Sequence, residues 1–176
     1  MLRSSPGRAV LAAVVLAALG CGKGDGLSDY DRMRQDQQSA ADALTSQGGK
    51  VKEMHYPQGS AWSVNLSGVT VTDDLLRKVK ELGRITELDL SKSTVTDDQL
   101  GLLNELGVTT LLLKLDLGNT AITDAGFEKL QNLALLSQMN LAETRVTPAA
   151  VERFKKNHLA DTRVREAFKK PTIRLK

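Results

Sequence analysis

A two-part phrase recurs four times along this chain. Val64-Asn65-Leu66-Ser67 precedes Val71-Thr72-Asp73-Asp74, and Leu88-Asp89-Leu90-Ser91 precedes Val95-Thr96-Asp97-Asp98. Leu115-Asp116-Leu117-Gly118 precedes Ile122-Thr123-Asp124-Ala125, and Met139-Asn140-Leu141-Ala142 precedes Val146-Thr147-Pro148-Ala149. The step from the second apolar residue of the first part to the opening of the second never changes: 66 to 71, 90 to 95, 117 to 122, 141 to 146. Successive copies begin 24, 27 and 24 residues apart. A period in the twenties predicts stacked units, a solenoid, and not a core closed on itself.

Each unit opens apolar-x-apolar, the alternation of a short strand with one face buried. Each continues with apolar residues three apart: Leu76, Val79 and Leu82; Leu100, Leu103 and Leu106; Phe127, Leu130 and Leu133; Val151 and Phe154. That spacing marks one face of a helix. Neither element can bury its apolar face alone, so the units must stack. The expected fold class is α/β: a short solenoid with parallel strands on one face and helices on the other, about four repeats plus terminal caps. Leu88, Leu90, Leu115 and Leu117 are expected in the core, and Asp89 and Asp116 are expected to be exposed.

The turn into each helix follows local rules. Thr72, Thr96, Thr123 and Thr147 stand where a hydroxyl accepts from an unpaired backbone N–H. Asp73, Asp97 and Asp124 follow, where negative charge suits the helix dipole. Pro148 takes that place in the last unit, and proline is tolerated at a first helical position. The three extra residues of the second unit fall within Gly107-Val108-Thr109-Thr110 and the leucines beyond. They predict a longer return on the outer side with the strand stack intact.

With these residues in hand, the pattern resembles the leucine-rich repeat, L-x-x-L-x-L-x-x-N-x-L. Ile85-Thr86-Glu87-Leu88-Asp89-Leu90 with Val95 is the best fit, and the resemblance covers about residues 60–155. The asparagine position holds Val69, Ser93, Thr120 and Thr144. Ser and Thr hydroxyls can bond the turn backbone there; Val69 cannot. The V-T-D step is similar to the subtype of exported bacterial repeat proteins. The same step occurs in eukaryotic ubiquitin-ligase adaptors, but these carry a cysteine at the asparagine-like position that this chain lacks.

The N-terminus reads as an export signal: Arg3 and Arg8, then ten residues of Val, Leu and Ala from Val10 to Leu19. Such a segment is short for a membrane span. The chain's one cysteine ends it, in Ala18-Leu19-Gly20-Cys21. This resembles a bacterial lipobox, which implies acylation of Cys21 and anchoring in the cell envelope, on its periplasmic or outer face. The expected organisation is a signal peptide at 1–20, a flexible tether at 21–34, an N-terminal cap at 35–62, repeats at 63–155 and a C-terminal cap at 156–176. Asp29 to Leu44 favours helix, Gly48-Gly49 stops it, and Lys50 to Tyr56 forms an irregular strand. Thr172 to Leu175 alternates like a last strand. From Arg153 onward the chain is strongly basic, which reads as a solvated face or a patch for an anionic partner.

The formal charge of +3 falls by two when Arg3 and Arg8 leave with the signal. Near-neutrality gives no case for nucleic acid, and aromatics at 3% argue against a stacking site. No catalytic set is spelled. His55 and His158 lie in opposite caps without a zinc pattern, no G-x-S-x-G elbow occurs, and Gly48-Gly49-Lys50 is not a phosphate loop. No enzyme activity, metal or cofactor is therefore expected. In a parallel stack, equivalent positions lie side by side, about 4.8 Å apart. Asn65, Asp89, Asp116 and Asn140 form one polar row; Glu87, Lys114 and Gln138 a second; Ser67, Ser91, Gly118 and Ala142 a third. Asp89 beside Asp116 would share a cation or meet a basic partner. The expectation is a membrane-anchored module that binds a protein through this face. The alternative is a structural envelope component or spacer without a specific protein ligand.

Overall fold

The structure is a computed structural model that describes residues 27–57, 59–130, 133, 135–158 and 172–175. The signal segment, Cys21 and residues 159–171 of the C-terminal cap lie outside the described residues.

Within them the chain is α/β, with a six-stranded sheet in chain order: β1 (Lys50–Tyr56), β2 (Gly59–Asn65), β3 (Ile85–Asp89), β4 (Lys114–Asp116), β5 (Gln138–Asn140) and β6 (Thr172–Arg174). β1 and β2 form an antiparallel hairpin, and every later neighbour is parallel. Helix α1 (Asp29–Ser46) precedes the sheet. The helices α2 (Asp73–Glu81), α3 (Asp97–Glu105), α4 (Asp124–Lys129) and α5 (Pro148–His158) follow β2, β3, β4 and β5 in turn. Parallel neighbours need such a crossover, because a tight turn can only reverse the chain. None of the described helices is long and apolar enough to cross a membrane.

Local chemistry sets each helix start. Thr72, Thr96 and Thr147 accept from the backbone N–H of Leu75, Gln99 and Ala150, and Thr123 from that of Ala125, at 3.2–3.4 Å. Pro148 is the first residue of α5. Leu66, Leu90 and Leu117 are fully buried, Leu88 and Leu115 nearly so, and strands and helices share one apolar core. The turn after each strand carries a residue with positive φ at the same place: Gly68 (73°), Lys92 (56°), Asn119 (57°) and Glu143 (57°). Only the first is glycine, so Lys92 and Glu143 hold a conformation that L-residues avoid.

The structure departs from the sequence expectations in four places. α1 begins at Asp29, where the helical reading of the sequence also starts it, so helix replaces the last part of the tether expected at 21–34. Its start is set by a capping box: Ser28 Oγ accepts from Asp31 N–H (3.1 Å), and Asp31 Oδ2 accepts from Ser28 N–H (3.2 Å). β1 is a regular strand, with seven residue pairs against β2. Arg34 fastens α1 to it by reaching both carboxylate oxygens of Glu53, at 2.9 and 3.2 Å. α4 stops at Lys129, so Leu130 and Leu133 are buried but beyond the helix. The extra residues of the second unit form a 3₁₀ helix, Val108–Leu111, that tucks Val108 and Thr109 into the interior and does not loop outward. Glu87 still pairs with Lys114, so the stack is intact across it.

Candidate functional site

The polar side of the sheet carries the candidate residues, and the register places them as rows. Asn65, Asp89, Asp116 and Asn140 are successive partners, as are Glu87, Lys114 and Gln138. They line a groove of about 490 Å³ together with Ser63, Thr172 and Arg174. The third row is also real: Ser67 Oγ and Ser91 Oγ lie 2.9 Å apart. Gly118 follows them. A Cβ there would stand 2.7 Å from the Asn140 amide nitrogen, so any larger residue would displace that side chain from its place over Asp116.

The first row is a bonded ladder, which corrects the picture of four solvent-facing side chains. Each residue bends back on its own turn. Asn65, Asp89, Asp116 and Asn140 accept through Oδ1 from the N–H of Ser67, Ser91, Gly118 and Ala142, at 2.8–3.1 Å. These are Asx-type bonds to the backbone two residues on. The amides then point inward along the row. Asn65 Nδ2 donates to Asp89 Oδ2 (2.8 Å), and Asn140 Nδ2 donates to both oxygens of Asp116 (3.0 and 3.1 Å). Asp89 and Asp116 are accordingly half-buried. Each carboxylate meets an amide on its outer side, and the register sets the two acids side by side across the β3–β4 seam.

The second row contains an ion pair. Lys114 Nζ lies 2.7 Å from Glu87 Oε1, and Ser63 Oγ donates to Glu87 Oε2 at 3.0 Å. The hydrogen bond from Lys114 holds the Glu87 carboxyl below the usual carboxylate range; Ser63 and the charges of Lys114 and Lys52 add to this, and partial burial opposes it. Glu87 in turn raises the Lys114 ammonium. These two expected contact residues thus satisfy each other.

The rows run one strand further at each end than the sequence pattern predicts. Register carries them to Lys50 and Lys52 on β1, and to Thr172 and Arg174 on β6. Both strands were legible as alternating segments, but their offsets against β2 and β5 were not.

On the helix side, the V-T-D step does more than cap. Asp97 accepts from Thr123 N–H (2.9 Å) and Thr123 Oγ1 (2.6 Å), in the following unit. Asp124 does the same for Thr147, at 2.6 and 2.7 Å. These bonds hold the Asp124 carboxyl below its ordinary value, with Arg153 adding its charge. Asp73 differs: Gln99 reaches it at 3.1 Å and takes the Thr96 N–H itself. Gly126 lies against the Asp97 carboxylate so closely that a Cβ would collide with it. In the first unit, Val69 lacks the hydroxyl its counterparts use, and Thr94 Oγ1 accepts from Val71 N–H instead (3.0 Å).

His55 contacts Ser60 Oγ at 3.0 Å. Among the described residues, no three His, Cys, Asp or Glu side chains converge as a metal site requires. Of the basic C-terminal end, Arg153 is paired with Glu128 and Lys155 with Glu152. Comparison with protein-family models and with curated proteins finds no match to this chain.

Proposed function

We propose that the chain is a short leucine-rich-repeat solenoid, of about four repeats between terminal caps, whose polar strand face binds a protein partner. In this reading it is exported and held at a bacterial envelope membrane through acylated Cys21, and it carries no catalysis. The observation that carries the binding role is the open strand face itself. Five parallel strands and a hairpin strand bring polar side chains into continuous rows along a groove, and no described helix covers them. The rows are pre-organised by their own hydrogen bonds, which lowers the entropy lost on binding. The repeat reading is supported by the equivalent Thr caps, left-handed turn residues and bonded Asn/Asp row in successive units. Anchoring is supported by the charged head, apolar run and lone cysteine of the sequence. A single acyl chain holds a protein weakly, so two are expected.

The test is a photo-crosslinker at Gln138 in intact cells, compared with one at exposed Arg77 on α2. Capture of a protein at Gln138 and not at Arg77 is expected. Asp89→Lys with Asp116→Lys should abolish that capture, whereas Arg77→Glu should leave it. Recovery of envelope polymer alone would replace the protein-binding role with that of a structural component. Cys21→Ser should leave unprocessed or mislocalised precursor; unchanged fractionation would remove the lipid anchor from the reading.

A further inference from the structure

The row nearest the turns has a charge order that reads the same from either end. Register sets Lys50, Asn65, Asp89, Asp116, Asn140 and Arg174 side by side on β1 to β6. The order is cation, amide, acid, acid, amide, cation, centred on the β3–β4 seam. The amides turn inward to the acids. Among the described residues no ion pair reaches any of the four charges. Strands lie about 4.8 Å apart, so each cation stands about 12 Å from the seam.

We infer that this face takes an extended polypeptide segment lying across the strands. One Arg or Lys of the segment sits over Asp89 and Asp116, and an acidic side chain about four residues to either side meets Lys50 or Arg174. The inference rests on the protein-binding reading above and adds the chemistry of the partner. Side chains four apart in an extended chain share a face and lie about 13 Å apart, which fits the distance from seam to edge. Like charges on adjacent strands repel, and a cation over the seam relieves that repulsion. A guanidinium suits the place, because its fork can meet two carboxylates. A uniformly basic partner, which Asp89 and Asp116 alone would favour, is repelled at both edges. A segment of inverted order meets like charge at all three stations. Lysine on an edge strand also discourages strand-to-strand association, and the test separates the two roles.

The probes are two synthetic nine-residue peptides in an alanine–serine background. One has arginine at its centre and glutamate at both ends; the other has the charges inverted. Each is titrated, up to millimolar concentration and at near-physiological salt, into the ¹⁵N-labelled full chain. The first should shift amides of β3 and β4 and bind about tenfold tighter than the second. Asp89→Asn with Asp116→Asn should remove the preference. Asparagine keeps the oxygen that caps each turn, and an unchanged spectrum away from the row checks the fold. Lys50→Glu with Arg174→Glu should weaken the first peptide to a similar degree. Equal binding of the two peptides, no binding of either, or edge variants that change only self-association would each overturn the inference. Capture of a protein at Gln138 alongside a failed peptide preference would sink the charge order alone. Capture only from the helix face would sink the protein-binding reading with it.

Discussion

Two ladders of aspartates run through this molecule, one along the strand face and one along the helix starts, and they use the same side chain to different ends. On the helix side, Asp97 and Asp124 each grip an N–H and a hydroxyl of the next unit, so both oxygens are committed to holding units together. On the strand side, Asp89 and Asp116 also commit both oxygens, to their own turns and to the amide of an outer neighbour, and the register sets these two acids side by side on adjacent strands. A carboxylate satisfied on every side stabilises a fold. Two such acids beside one another on an open face also attract a cation.

The comparison can be broken by mutation. Leu90 lies fully buried in the shared apolar core, and Leu90→Ala should cost about 2–5 kcal/mol in denaturant unfolding. This is the benchmark, because it damages both sides at once. Asp97→Ala should cost about 1–3 kcal/mol, since it strands the Thr123 N–H and hydroxyl. Gly126→Ala should cost a similar amount by pressing on the same carboxylate. If Asp97→Ala is neutral, the helix-side ladder does not join the units. Glu143→Gly should stabilise by about 0.5–1 kcal/mol, because glycine accepts the left-handed turn without strain; a loss would show that the Glu143 side chain contributes more than its backbone costs. Asp89→Asn should fall within about 0.5 kcal/mol of the parent, because the turn cap survives and a like-charge contact is removed. A cost for Asp89→Asn equal to that of Asp97→Ala would erase the distinction between the ladders.

The smallest expected effect is on pH dependence. The folded-state pKa values of Asp124 and Glu87 are lowered relative to ordinary carboxyls. Their contribution to stability is therefore complete above the unfolded range, near pH 4, and lost as pH falls through the folded values. Denaturation midpoints should drop between pH 5 and 3, and Asp124→Asn should flatten part of that drop. A parent and variant with parallel profiles would show that Thr147 does not favour the ionised form.

The sequence by itself determined the alternating strand segments, the helix starts, the capping threonines and the buried leucines. These depend on interactions within a few residues: alternation along a strand, spacing along a helix, a hydroxyl beside an unpaired N–H. The start of α1 was just as local, and the helical segment read from Asp29 to Leu44 contains it. Tertiary structure alone decided the lateral partners. Nothing in the repeated Thr-Asp pair says that Asp97 bonds Thr123, 26 residues on, while Gln99 intervenes at Asp73. Nor could the chain's own pattern show that Lys50 and Arg174 complete the row of Asp89 and Asp116. Row membership depends on the offset between whole strands, and one residue of slip would turn each of these side chains to the other face. That offset is set by how the cores of adjacent units pack, and no single unit contains the information.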